Sequence, residues 1–421
     1  MMRFIYTALA YLLVPFAFAM VLWRGLRDRS YWKNLGERFG FGRRVTVRSI
    51  WVHAVSMGEV QAAAPLVRAL RSRYPEMPLV LTTVTPTGYL RGRSLFGEGV
   101  HVRFVPYDIP GCVRRFFDRA RPRLAVILET ELWPNLYREC SRRSVPLVLA
   151  SARISPRSVG RYRLLVGLFR QTLSHGIVIA AQSSSDAERF KSIGANPMRT
   201  HVIGNIKFDF ELPEGVAAAG RQLRQRQAPK RAVWIAGSTH EGEEDLVLDA
   251  HVQVQKRVSN ALLVLVPRHP NRFETVANAL RRRAFHFVSR SSGADIRPDT
   301  EVWLVDSLGE LLTFYAAADV AFVAGSLVPI GGHNLLEPAA LGLPILTGPH
   351  NFNSEDVARL LVEVGAARMV RDAAELATEV TTLLGEPAER ERIGSIGRRT
   401  LDENRGATQR LLDLIDPLLG R

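Results

Sequence analysis

Cysteine is almost absent from this chain: Cys112 and Cys140 are the only two in 421 residues. That excludes a disulfide framework of the kind that holds small secreted domains together, and it fits a reducing compartment. Metal signatures are missing too. There is no Asp-x-Asp pair, no His-Glu-x-x-His, no Cys/His zinc spacing and no Walker lysine loop, so no metal or other cofactor is expected. No low-complexity tract or long-period repeat occurs, and 47% hydrophobic with 23% charged residues describes a folded chain. Neither zinc-finger spacing nor an RRM-type aromatic pattern accompanies the basic residues, which argues against nucleic acid as a partner.

One absence is local. From Phe4 to Trp23 no residue is charged, and twenty apolar residues suffice to cross a bilayer as a helix. Arg24, Arg27, Arg29 and Lys33 follow at once. By the positive-inside tendency they hold the rest of the chain on the cytoplasmic side. A secretory leader fits poorly, because the run is long and no A-x-A-like site precedes the arginines. Pro15 leaves open a helix lying along the interface. Residues 1–23 are therefore expected to be an inner-membrane anchor with no part in the chemistry. What the chain has in excess is positive charge, +15 net, which favours phosphorylated substrates and an anionic membrane surface.

Beyond the anchor, apolar runs alternate with amphipathic stretches. Candidate strands at Ile50–Val55, Leu79–Thr83, Val102–Val105, Leu124–Leu128, Val145–Ala150 and Gly176–Ala180 are separated by helical patterns such as Val60–Tyr74, Gly111–Arg121 and Leu132–Arg143. The polar stretch 209–231, with Pro213, Gly215, Gly220 and Pro229, reads as a helix-poor linker. The alternation then resumes at Ala232–Ala236, Leu262–Val266, Glu301–Val305, Val320–Ala324 and Pro344–Leu346. The expected fold is α/β: two Rossmann-like domains, 24–208 and 232–421, each a parallel sheet buried on both faces, with a cleft between them as in the GT-B glycosyltransferase architecture. Ligands in such sheets bind at the carboxyl ends of strands.

The chemistry-bearing residues fall at those ends. Glu59, in His53-Ala-Val-Ser-Met-Gly-Glu59, opens a helix. It either complements the helix dipole or serves as a general base on a hydroxyl. Glu129 and Glu131, in Glu129-Thr-Glu-Leu-Trp-Pro-Asn135, leave an apolar strand together, and on an extended chain they would share one face. Lys207, in Gly204-Asn-Ile-Lys-Phe-Asp209, could neutralise a leaving phosphate. In the second half, Arg268 and His269 end a strand. Ala236–Glu243 forms a glycine-bearing turn, and Gly325-Ser326 with Gly331-Gly-His-Asn-Leu-Leu-Glu-Pro338 offers glycines, a helix start near Gly332, and Glu337 for ribose hydroxyls. Together these suggest a phosphorylated nucleotide donor.

In this order, behind a basic N-terminal anchor, these motifs resemble those of 3-deoxy-D-manno-oct-2-ulosonic acid (Kdo) transferases, over essentially the whole chain and with no departure at a motif position. The resemblance implies inverting transfer of Kdo from CMP-Kdo to the tetraacyl lipid A precursor, lipid IVA, in lipopolysaccharide synthesis. It gives Glu59 as general base, and Glu129 and Lys207 as transition-state stabilisers. The CMP-binding segments are Arg268 and His269; Leu308, Gly309 and Glu310; and Asn334, Leu335, Leu336 and Glu337. The competing readings are another GT-B protein, such as a nucleotide-sugar epimerase or UDP-sugar transferase, and a nonenzymatic membrane-surface binder. Paired strand-end carboxylates oppose the last, since a binder of anionic lipid gains nothing from them.

Overall fold

The computed structural model describes residues 2–154 and 176–420; the stretch 155–175, inside the expected first domain, lies outside the described residues. The chain forms two compact units, one of residues 1–209 with 404–421, the other of residues 210–403.

The first unit carries a seven-stranded sheet of β1 (Ser49–His53), β2 (Leu79–Thr83), β3 (His101–Phe104), β4 (Pro122–Leu128), β5 (Leu147–Ala152), β6 (Val178–Ala181) and β7 (Thr200–Val202). Its order is β3-β2-β1-β4-β5-β6-β7 and every pairing is parallel. The helices between are α2 (Met57–Ala62), α3 (Ala64–Arg73), α4 (Pro86–Phe96), α5 (Pro110–Ala120), α6 (Pro134–Arg142) and α7 (Ser184–Ser192), preceded by the N-terminal α1 (Met2–Arg27). Proline at the first position starts α4, α5 and α6, where its missing N–H costs nothing. Strand alternation sorts the core. Ile50, Val52, Leu124 and Val126 face one helix layer, while Trp51, Val80, Ala125 and Ile127 face the other.

The second unit repeats the plan with β8 (Val233–Thr239), β9 (Leu262–Pro267), β10 (Phe287–Ser289), β11 (Val302–Leu304), β12 (Val320–Val323), β13 (Ile345–Thr347) and β14 (Ala367–Met369), in the order β10-β11-β9-β8-β12-β13-β14, all parallel. Helices α8 (Val216–Gln227), α9 (Glu243–Gln255), α10 (Phe273–Arg282), α11 (Leu311–Ala317), α12 (Leu336–Ala340), α13 (Glu355–Glu363), α14 (Ala373–Gly385) and α15 (Pro387–Glu403) flank it. In each sheet the chain reverses its direction of strand addition beside the first strand: at β1/β4 in the first unit and at β8/β12 in the second. Such a switch point leaves a crevice at the carboxyl ends of its two strands.

Four expectations need correction. The stretch 209–231 is not helix-poor. It contains α8, and Gly220, read as a breaker, instead lets α8 press against α11, since a Cβ there would meet Ala316 at 2.3 Å. The second domain does not run to the C-terminus. The last helix, α16 (Ala407–Leu419), belongs to the first unit, where Leu411, Leu412, Ile415 and Leu419 pack on the face holding Ile50 and Val52. Val60–Tyr74 is broken at Ala63, where Pro65 opens a second helix. Finally β7, β10 and β14 were missed. Each is three residues long and none is wholly buried, so none shows a continuous apolar run.

Helix α1 is more than an appendage to the first unit. From Phe4 to Arg27 it is long and apolar enough to cross a membrane by length and composition. Yet Tyr6 donates to Asp108 at 2.8 Å, Thr7 donates to Asn135 at 3.0 Å, and Phe18 meets Phe39 edge-on at 5.1 Å.

The return of α16 depends on Asp209. Its carboxylate accepts from the N–H groups of Gly406 at 2.6 Å and Thr408 at 2.5 Å, satisfying the first turn of a helix some two hundred residues away. Asp209→Ala should therefore lower stability by about 1–2 kcal/mol. Asp413→Ala, which loses only an exposed bond to Gln409 on the same helix, should stay within about 0.5 kcal/mol of the parent. Urea denaturation monitored on both variants checks this, and equal effects would refute the capping account.

Candidate active site

In the first unit the switch point between β1 and β4 gathers the titratable groups. Ser56 caps α2, and its hydroxyl accepts the N–H of Glu59 at 3.3 Å. Glu59 in turn folds back, its Oε2 accepting the N–H of Val55 at 2.9 Å. This reciprocal arrangement resembles a capping box, with the carboxyl reaching one residue beyond the N-cap to Val55, and it fixes the carboxyl at the end of β1. Burial pushes the Glu59 pKa up to about 7, helped by the neighbouring charges of Glu129 and Glu131; the Val55 N–H and Lys207 oppose the rise only in part. A helix-start position should lower a carboxyl's pKa, but here desolvation wins.

Glu129 stands directly after β4 with φ +56, left-handed backbone that a non-glycine residue rarely adopts. The kink overturns the expectation of an extended chain with two carboxylates side by side. The Glu129 side chain turns to Lys207, whose Nζ lies 3.0 Å from Oε1. Glu131 instead accepts the indole N–H of Trp133 at 2.6 Å, and burial raises its pKa. Lys207 is held on a single turn of 3-10 helix, Ile206–Asp209, with its own N–H bonded to Asn205 Oδ1. Glu129, Glu131 and Lys207 thus all act electrostatically on Glu59.

Asp108 was not singled out by sequence, yet it holds this region together. Fully buried, it accepts the N–H groups of Asn135 (3.1 Å) and Leu136 (2.8 Å) as well as the Tyr6 hydroxyl, so it caps α6 and clamps α1 to the end of the Glu129–Asn135 motif. Burial lifts its pKa to about 6.

The second unit centres on the switch point between β8 and β12. Its largest surprise is Glu243, wholly buried at the start of α9. Its two oxygens accept the N–H groups of Gly325 (2.6 Å), Ser326 (3.1 Å) and Leu327 (3.0 Å). The glycine turn expected to offer these N–H groups to an external anion is therefore occupied by an internal one. Nor does a helix start at Gly332. The N–H groups of Gly331 and Gly332 both bond to Gly325 O, and α12 begins only at Leu336, whose N–H is taken by Asn334. Arg268 and His269 follow β9, and the His269 ring lies beside the imidazole of His240, which meets that of His333; burial lowers the His269 pKa.

The other expected residues lie in the loop after β11 and at the start of α12. Leu308 is exposed, and Gly309 takes φ +88, in the loop after β11. Glu310 in that loop is paired with Arg290 at 2.8 Å, which holds its carboxyl below the usual range. Glu337 accepts from Asn334 Nδ2 at 3.2 Å through Oε1. Leu335 and Leu336 are buried and act as packing. Among the described residues no group of three or more His, Cys, Asp or Glu side chains could hold a metal ion.

A carboxyl whose folded pKa is raised costs stability above its unfolded value. For Glu59 that cost develops as pH rises from about 4.5 to about 7. Glu59→Gln should therefore be more stable than the parent at pH 8, by on the order of 1–3 kcal/mol after discounting for partial exposure, and equally stable at pH 4. Thermal melts across this range check it; a variant less stable at pH 8 contradicts the assignment.

The chain is similar to known proteins along its whole length. The family model described as 3-deoxy-D-manno-octulosonic-acid transferase (kdotransferase) matches residues 33–210. A 3-deoxy-D-manno-octulosonic acid transferase of Haemophilus influenzae is 40% identical over 425 residues, covering 100% of both chains. One from Bordetella pertussis is 37% identical over 432 residues, covering 99% of this chain and 100% of its own. Among solved structures, Anabaena Alr3699/HepE in complex with UDP aligns over 88% of this chain and 100% of its own at 15% identity, with a TM-score of 0.58. MurG of Acinetobacter baumannii does so over 88% and 100% at 14%, with a TM-score of 0.56. At such identities the likeness speaks for fold alone, and it supports the GT-B class expected from sequence. The full-length identity to two such transferases is decisive for family: the chain belongs to the 3-deoxy-D-manno-octulosonic acid (Kdo) transferases.

Proposed function

We propose that the chain transfers Kdo from CMP-Kdo to the tetraacylated lipid A precursor, lipid IVA, with inversion at the anomeric carbon and without a metal ion, at the cytoplasmic face of the inner membrane. The observation that carries this reading is Glu59, a carboxyl held in a desolvated crevice with its pKa near neutrality. A general base works best when its pKa lies near the working pH, because it is then both substantially ionised and basic enough to take a hydroxyl proton. With Oε2 held by the Val55 N–H, the Oε1 side is the one to face an acceptor hydroxyl; among the described residues its hydrogen bond is a long one, from the Ser56 hydroxyl at 3.4 Å. A base that activates the acceptor for direct attack gives inversion.

Glu129 and Lys207 act as a pair. The carboxylate orients the ammonium, and the ammonium offers positive charge to the oxygen on which charge develops. In the second unit, Arg268 and His269 are assigned to the donor's phosphate, and Glu337 to its ribose. The apolar helix Phe4–Arg27, followed by Arg29 and Lys33, supports attachment to an anionic membrane that also holds the acceptor lipid.

Glu59→Gln preserves size while removing basicity. It should cut turnover on the order of 10²-fold or more and leave affinity for CMP within about twofold. In the parent, turnover should climb with pH through about 7 as Glu59 ionises, and EDTA should leave it unchanged. A Glu59→Gln protein that is folded and turns over at the parent rate removes the base assignment. Loss of activity on chelation, restored by a divalent ion, removes the metal-free one.

A further inference from the structure

His240 and His333 make an unusual contact. Their Nε2 atoms are 2.8 Å apart, their ring planes agree to within 6°, and their centroids are 5.1 Å apart. The centroid separation is the N···N contact extended by about one ring radius at each end, so both nitrogens lie on the line joining the rings. This is not stacking. It is an in-plane N–H···N hydrogen bond between coplanar imidazoles, in which one ring donates and the other accepts.

The arrangement is built, not incidental. His240 ends β8 and His333 follows β12, the two strands of the switch point. Gly325, at φ +72, lies against both rings: a Cβ there would stand 3.0 Å from His333 Cδ2 and 3.4 Å from His240 Cδ2. The turn carrying Gly325 is fixed from beneath by Glu243, whose charge is spent on three backbone N–H groups. Burial disfavours added charge on both rings, and the positive side chains after β9 add to it, Arg268 and Arg272 for His240 and Arg268 for His333. Arg272 is partly neutralised by Glu241 and Glu244. Empty, the pair is therefore neutral and shares one proton.

Its capacity for more is limited by geometry. One added proton can enter at the Nδ1 of the donating ring, leaving the N–H···N bond intact and now charge-assisted. Another would have to enter at the Nε2 of the accepting ring and set two N–H groups head to head at 2.8 Å. The pair therefore takes up one proton and no more. An anion placed against Arg268 offsets the local positive field and favours that uptake.

We propose that His240 and His333 are a one-proton switch for anion recognition: neutral in the empty site, and sharing one added proton when the phosphate of the donor lies against Arg268. The proposal rests on the reading of this unit as the donor site. Donor binding is then coupled to uptake of a single proton, so affinity weakens as pH rises through the midpoint of the occupied pair.

Histidine Cε1–H NMR on the full chain, labelled at histidine, tests this. The chain has ten histidines, and His240→Gln and His333→Gln each assign one signal, so either variant alone suffices to find the coupled pair. Without an anion, neither signal should titrate above about pH 5. Saturating CMP should introduce one titration, moving both signals together, with a midpoint higher by about one pH unit or more; cytidine, which lacks the phosphate, should not. In His240→Gln the remaining His333 signal should lose this joint behaviour. Independent titration of both rings near pH 6.5 in the empty protein overturns the proposal, as does CMP binding that leaves both signals untitrated. Inorganic phosphate separates the two layers. If phosphate moves the pair and CMP does not bind, the proton switch stands and the donor assignment falls.

Discussion

A carboxyl kept out of water beside an anchored ion pair is the constraint on which the first unit's chemistry depends. Glu59 is desolvated at the end of β1, and Glu129 stands opposite at the end of β4, bonded to Lys207. If Glu129 were drawn away, Lys207 would lose its orientation and Glu59 its nearest like charge. If Glu59 were solvated, its pKa would return to the ordinary carboxylate range and it would be too weak a base. The fold supplies the conditions for both. Adjacent parallel strands whose connections leave in opposite directions open a crevice at their carboxyl ends, and the strained left-handed residue at Glu129 aims its side chain across the end of the sheet.

The second unit solves a related problem with an internal anion. Glycine turns are often read as cradles for phosphate, yet here the N–H groups of residues 325–327 are satisfied by Glu243. The turn becomes a support for the side chains packed against it, and on the proposed reading recognition of an anion passes to Arg268, His269 and the His240–His333 pair. This division explains why the buried carboxylate of Glu243 is tolerated. Three backbone hydrogen bonds offset part of its desolvation, while burial still raises its pKa, and the turn it stabilises holds the imidazoles in place.

Much of this was legible in the sequence, for physical reasons that can be named. Strands β1, β2, β4, β5, β8, β9 and β12 are largely buried on both faces, so they read as apolar runs, and Glu59, Glu129, Arg268 and His269 each follow one of them. The edge strands β7, β10 and β14 lack that signature because one side is half exposed. Glu243 was hidden because an acidic residue in a helix's first turn is ordinarily a partner for the dipole; only the fold reveals three N–H groups from residues more than eighty positions away. Likewise Asp108 and Asp209 act through contacts with Tyr6, Asn135, Gly406 and Thr408 that sequence proximity cannot signal. The return of α16 to the first unit follows from such a contact. A domain drawn by counting residues from the linker onward misses it.

The central claim is that Glu59 is a near-neutral base because its surroundings, including Glu129, make it one. Its protonation can be read directly from the carboxyl ¹³C shift in glutamate-labelled protein, with Glu59→Gln identifying the signal. The account predicts a midpoint near pH 7 in the parent, and a clear fall in Glu129→Gln, where a like charge is removed and Lys207 is released toward Glu59. A parent midpoint in the ordinary carboxylate range, about 4.3, or one that does not respond to Glu129→Gln, would contradict it.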